Sequence, residues 1–158
     1  MREVQLTQGY VALVSDKDYA RVSKFKWHIT RNRTTVYAYS RLGKGRAAPE
    51  VPMHVLIMGT KVDHIDHNGL HNWRKNLRPA TQRQNMMNIT KTSSKTSSKY
   101  KGVCWHKAGK KWFAYIKLYG KMHYIGLFSA EKDAALAYDV KARELFGEFA
   151  NPNFKENL

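Results

Sequence analysis

The ten residues from Thr90 to Lys99 read T-K-T-S-S-K-T-S-S-K and hold no apolar side chain. A segment with nothing apolar to bury does not join a core, so the sequence predicts a flexible basic linker over 90–99 with separate domains on either side. The chain has 158 residues, so each domain must be small and its core correspondingly modest. Hydrophobic residues make up 42% of the chain, too many for pervasive disorder. The three lysines of the linker suit contact with a phosphate backbone, and a passive spacer fits the run equally well.

Charge narrows the partner. Twenty-eight Lys and Arg against twelve Asp and Glu give a net +16. A compact domain gains no stability from such self-repulsion, which implies a polyanion: nucleic acid or an anionic membrane. Between Asp66 and Glu131 there is no acidic residue, while thirteen Lys or Arg run from Arg74 to Lys121. A solvated surface mixes signs, so this block reads as phosphate-facing. Cys104 is the single cysteine, which leaves no intrachain disulfide and no thiolate zinc cluster. It reads as a packing residue in a reducing cytosol. With no apolar run of about 18 residues and no signal-type N-terminus, the expectation is a soluble, cytoplasmic protein.

The expected fold class is α+β. Tyr10–Val14, Lys26–Thr30 and Thr34–Ser40 read as strands of a β-rich scaffold, with Met53–Met58 a compact apolar segment before Gly59. Arg31, Arg33, Arg41, Lys44 and Arg46 are possible backbone contacts on it. Over 61–89 the pattern predicts a hairpin and then a helix. Asn68-Gly69 supplies a two-residue turn, Leu77 lies on the returning arm, and Thr81 with Gln84 forms a capping box for a helix over Gln82–Asn88. Beyond the linker, Tyr100–Lys107, Lys111–Leu118 and Met122–Phe128 read as three strands. Ser129 is the expected cap of a helix whose apolar positions Ala134, Ala135, Tyr138, Ala142 and Leu145 recur at three- and four-residue steps, with Gly147 at its end.

Asp63-His64, Asn76 and Asn85 are the candidate chemistry. Phosphodiester hydrolysis needs a base for water and a cation for charge on the leaving oxygen. Asp63 and the Asn85 amide oxygen are suitable ligands for a hard divalent cation. In an ideal strand Asp63 and His64 face opposite ways, so the site requires a bulge, a twist or a metal bridging from the strand end. His67 and His71, four apart, invite a zinc reading, but they flank a turn without further soft ligands and read as loop residues or phosphate contacts. His54 is either a packing residue or a substrate contact, and His28, His106 and His123 are at most surface contacts.

Val62-Asp63-His64-Ile65, Asn68-Gly69-Leu70, Asn72, Arg74, Asn76-Leu77-Arg78 and Gln84-Asn85 resemble the HNH nuclease family, in particular phage and intron-encoded homing endonucleases. The likeness covers roughly residues 50 to 90, with a weaker echo in Leu6-Thr7-Gln8-Gly9. It implies a ββα-metal motif over about 61–89 within an HNH domain over 1–89. His64 becomes the general base, Asp63 and Asn85 the metal ligands, and Asn76 a structural member of the catalytic set. Asn85 stands where many members have His, which favours one Mg²⁺ or Mn²⁺ over zinc, and the cysteine pairs that bind structural zinc in some members are absent.

A second resemblance covers Ser98 to Phe154. Tyr100-Lys101-Gly102-Val103, Lys111-Trp112, Ala114, Ile116, Gly126, Phe128 and Ala134-Ala135-Ala137-Tyr138-Asp139 look like the APETALA/ethylene-response-factor DNA-binding domain, with Gly147, Ala150-Asn151 and Phe154 in agreement. It implies a three-stranded antiparallel sheet packed on one helix over 100–158 and laid in the major groove of double-stranded DNA. Carried over by position, Trp105, Lys107, Lys111, Trp112, Lys117 and His123 join Arg74, Arg78 and Arg83 as DNA-contact candidates. Lysines stand where the plant domains use arginines, which implies relaxed base specificity. The expectation is a metal-dependent, homing-type DNA endonuclease of phage or mobile-element origin, nicking or cutting both strands, monomeric by default and without a small-molecule cofactor. The alternative is a non-catalytic DNA-binding regulator on a degenerate nuclease fold.

Overall fold

The computed structural model describes residues 1–32, 35–43, 45, 47–91 and 96–155. The chain forms two units, Met1–Asn85 and Met86–Leu158, and is mixed α and β throughout.

In the first unit β1 (Arg2–Gln5) pairs antiparallel with β2 (Val11–Val14), and α1 follows at Asp16–Val22. β3 (His28–Arg31), β4 (Val36–Arg41) and β5 (Glu50–Pro52) make an antiparallel sheet in that order. β3 starts later than expected because Trp27 turns inward, where it is buried and its indole N–H donates to the Val22 carbonyl at 2.8 Å. Met53–Met58 is a helix, α2, ended by Gly59 at φ +73. It brings Met53 and Ile57 onto Ala12, Val14, Val22, Trp27 and Ala38, forming one apolar cluster with Val62 and Leu77. Arg33, Thr34, Lys44 and Arg46 lie outside the described residues.

The expected two-residue hairpin does not form. β6 (Val62–His64) pairs antiparallel with β8 (Leu77–Pro79) in the register Val62↔Pro79, Asp63↔Arg78, His64↔Leu77, so residues 65–76 make a long connection. Within it His71–Asn72 is a short strand, β7, parallel to β2. Side chains compete for the turn. The Asp66 carboxylate accepts from Asn68 N–H at 2.9 Å and the Asn68 amide oxygen accepts from Leu70 N–H at 3.0 Å, giving successive Asx turns. Gly69 is needed for space: a Cβ there would lie 2.5 Å from the Tyr37 ring and from the Val36 carbonyl. The helix after β8, α3 (Gln82–Met87), begins with the expected capping box: Gln84 N–H donates to Thr81 Oγ1 at 3.2 Å, and Thr81 N–H to Gln84 Oε1 at 2.8 Å.

The second unit is a sheet of β9 (Val103–His106), β10 (Lys111–Leu118) and β11 (Lys121–Phe128), with β10 in the middle, and a helix, α4 (Glu131–Phe146). Ala114 and Ile116 of β10 are buried, packing respectively with Ala134 and Ala135 and with Tyr138 and Ala142 of α4. Tyr119 and Gly120, both at positive φ (+53 and +76), make the two-residue turn between β10 and β11. The helix starts one residue later than expected: Ala130, not Ser129, precedes its first turn, and neither residue's side chain caps it. Glu131 is engaged instead by Ser98 Oγ at 2.7 Å and Lys99 N–H at 3.3 Å. Of the expected linker, residues 92–95 lie outside the described residues, but Ser98 is buried and Lys91 Nζ donates to the Tyr100 carbonyl at 2.7 Å. Hydroxyls with partners can be buried, which a reading by apolar content overlooks. No helix among the described residues is long and apolar enough to cross a membrane.

Candidate functional site

His64 closes β6 and is 6% exposed. Its ring meets His54 of α2 edge-on at 5.1 Å between centroids and Tyr37 of β4 at 5.7 Å. Nε2 lies 3.1 Å from Oδ1 of Asn72, a fully buried side chain on β7. Asn72 Nδ2 donates to the Gly69 carbonyl at 3.3 Å, which fixes the amide with its oxygen toward the imidazole. An acceptor facing Nε2 places the proton there, so Nδ1 is the basic nitrogen of this tautomer. Burial pushes the His64 pKa below the ordinary histidine value, although the Asn72 bond and the charges of Asp66 and Asp63 act against it. At neutral pH the ring is uncharged, the form that accepts protons.

Asp63, one residue earlier on β6, stands opposite Arg78 of β8. Its Oδ2 accepts from Arg78 Nε at 3.0 Å and from Arg78 NH2 at 2.6 Å, and both side chains are largely buried. Asn85 in the first turns of α3 donates from Nδ2 to the Val62 carbonyl at 3.3 Å, which holds it over the start of β6. Its Oδ1 is buried and has no hydrogen-bond partner. Among the described residues, no set of three His, Cys, Asp or Glu side chains is grouped to hold a metal.

Asn76 staples the 65–76 connection. Its Nδ2 donates to Asp66 Oδ1 at 2.9 Å and to the His71 carbonyl at 2.8 Å, while its Oδ1 accepts from Asp66 N–H at 3.2 Å. His71 Nδ1 is paired with Asp66, Nε2 lies 3.0 Å from Asn68 Nδ2, and the ring packs on Trp73 at 4.7 Å. His71 therefore serves the loop. Asp63 and His64 thus lie on β6, Asn76 immediately before β8, and Asn85 on α3, tied to β6 through the Val62 carbonyl.

The expected DNA contacts fall into two groups. Arg74 turns inward, donating to both carboxylate oxygens of Asp18 at 2.8 and 2.9 Å and to the Ile57 carbonyl at 3.1 Å. Arg78 is committed to Asp63 and Trp112 packs on the Val103–Ala114 cluster. Exposed are Arg83 on α3 and, in the second unit, Trp105, Lys107, Lys111, Lys117 and His123. Asn72 and Tyr37 carry no role expected from the sequence, and His54 none beyond packing or substrate contact. The only signal for Asn72 was its place inside the family motif. Its partnership with His64 depends on β7 pairing with β2, which local pattern does not reveal.

Comparison with known proteins gives two viral relatives. An uncharacterized HNH endonuclease of Acanthamoeba polyphaga mimivirus is 39% identical over 153 residues, spanning 92% of this chain and 76% of that protein. Protein 3.8 of Escherichia phage T7 is 35% identical over 92 residues, 58% of this chain and 74% of that protein. No protein-family profile matches, and no solved structure matches significantly.

Proposed function

This chain belongs to the HNH endonuclease family, and from that premise we propose that it hydrolyses the phosphodiester backbone of DNA with the help of one divalent metal ion. The observation that carries the reading is the unpartnered, buried Oδ1 of Asn85 where α3 meets β6. Buried acceptors are nearly always satisfied, and an unsatisfied amide oxygen is a donor type that suits Mg²⁺ or Mn²⁺. Asp63 and Asn85 would hold that ion, which when bound would stabilise charge on the departing 3′ oxygen. Until a cation competes for it, Arg78 orients and neutralises the Asp63 carboxylate.

His64 is the general base. With Nε2–H committed to Asn72, it takes the proton of the attacking water at Nδ1. The products carry a 5′ phosphate and a 3′ hydroxyl. Asn76 keeps the connection between β6 and β8 in shape, completing a ββα-metal centre from β6, β8 and α3. The second unit binds double-stranded DNA through Trp105, Lys107, Lys111, Lys117 and His123, with Arg83 adding a phosphate contact from α3. Arg74 and Arg78 serve the scaffold. One centre per chain makes a monomer a nicking enzyme, and two viral relatives support a phage or mobile-element origin.

One observation favours the second reading, a non-catalytic DNA-binding regulator: the Arg78 guanidinium already occupies Asp63 Oδ2 at 2.6 Å. Supercoiled plasmid incubated with the protein and Mg²⁺ separates the two. Conversion to nicked circles that stops with chelator and with His64→Ala supports the nuclease. Retarded but uncut plasmid under all conditions supports the regulator.

A further inference from the structure

The face of the C-terminal sheet turned away from α4 is aromatic. Because Ala114 and Ile116 point into the helix-side core, their neighbours Phe113 and Tyr115 point outward. Tyr115 stands opposite Tyr124 of β11, and the Phe113 ring lies 5.7 Å from Tyr115 and 5.4 Å from Tyr124, both at 37°. His106 of β9 continues the row, stacked on Phe113 at 6.3 Å and 27°. Tyr124 is 62% exposed, while Phe113 and Tyr115 are half-buried.

Charge decides between occupants. Lys111 and Lys117 close the two ends of the row on the central strand, and no Asp or Glu occurs from residue 97 to residue 130. A second copy of this face would set lysines against lysines. Base pairs within an intact duplex offer edges, which are read by bidentate donors that Phe113 lacks altogether, and they hide their π-faces. Unpaired bases expose those faces, and aromatic rings with flanking lysines are the chemistry that holds a single strand.

We propose that this face is a stacking platform for single-stranded DNA, with Phe113, Tyr115 and Tyr124 under successive bases and Lys111 and Lys117 on the phosphates. It shares Lys111 and Lys117 with the duplex contacts proposed above, so the two ligands compete for this face while the ring row serves the single strand alone, and it does not depend on hydrolysis. The test is fluorescence anisotropy of the full chain in chelator, titrated into a labelled oligothymidylate of about 15 nucleotides and into a duplex of matched length. Tyr124→Ala is expected to weaken single-strand binding about tenfold while leaving duplex binding within about twofold, and Tyr124→Trp to restore it. Because Tyr124 projects into solvent, neither change threatens folding. Equal losses on both ligands, or an unchanged single-strand affinity, would overturn the proposal. So would self-association of the chain that Tyr124→Ala abolishes without any single-strand defect.

Discussion

Arg74 offers a sharp choice between two roles, because its place in a basic stretch suggests DNA contact while its geometry makes it a brace. Its guanidinium forks onto both oxygens of Asp18 and also reaches the Ile57 carbonyl, so α1, α2 and the 65–76 connection meet at one group. Asp18 is 3% exposed. Burial alone would raise its pKa, yet it is lowered, because the bond and charge of Arg74 together with Arg21 and Lys17 outweigh burial. Breaking a buried pair by removing one partner typically costs about 3–5 kcal/mol. Arg21 stays within 3.1 Å of Asp18 and the Arg74 side chain is 36% exposed, so for Arg74→Ala we expect less than that range, about 2 kcal/mol. Urea unfolding at pH 7 followed by tryptophan fluorescence reads the loss, and the Tm should fall by on the order of 10 °C. DNA affinity of the folded variant, and the slope of its logarithm against that of salt, should stay as in the parent. A phosphate contact would instead leave stability intact and reduce that slope by about one. That outcome would refute the bracing role.

Other perturbations follow from the same geometry. Asn72→Asp puts a negative acceptor on His64 Nε2, stabilises the imidazolium, and should move the acidic limb of the nicking profile upward by about one pH unit or more; an unmoved limb would remove Asn72 from the site. His54 is pulled down to about 4, first by burial and then by the nearby His64. The unfolded chain therefore binds a proton below about pH 6.5 that the folded chain takes up only near pH 4, and stability should drop by about 3 kcal/mol across that window. Denaturation midpoints of parent and His54→Gln at pH 7 and 4.5 check this, the variant showing the shallower fall. In the second unit Asp139 accepts from Asn153 N–H at 2.7 Å, from Asn153 Nδ2 at 2.9 Å and from Phe154 N–H at 2.9 Å. Asp139→Ala should cost about 3 kcal/mol and release the C-terminal segment to proteolysis.

What the sequence disclosed depends on how local the cause was. The Lys111–Leu118 strand and the Thr81–Gln84 capping box are set by neighbouring residues, and both are found where the pattern put them. Asn68-Gly69 misled because its turn chemistry is overridden by Asp66 and Asn68 side-chain bonds and by the need for Gly69 to lie against Tyr37. Ser98 is polar, so composition gave it to the linker, yet Glu131 thirty-three residues away buries it. At the site, the motif supplied Asp63, His64, Asn76 and Asn85. It gave no hint that Arg78 would hold Asp63 or that Tyr37 and His54 would enclose His64, because those contacts arise from strands and helices far apart in the chain.

Nicking rate against Mg²⁺ concentration, compared for the parent chain, His64→Ala and Asn85→Ala, tests the catalytic centre most directly. The parent should saturate with metal and cut. His64→Ala should bind metal and DNA as before but lose about 10²–10⁴ in rate at saturating Mg²⁺. Asn85→Ala should need far more Mg²⁺ to reach half its maximal rate. A His64→Ala protein that cuts at the parent rate, or an Asn85→Ala protein with an unchanged metal requirement, would contradict a cation-assisted histidine base on β6.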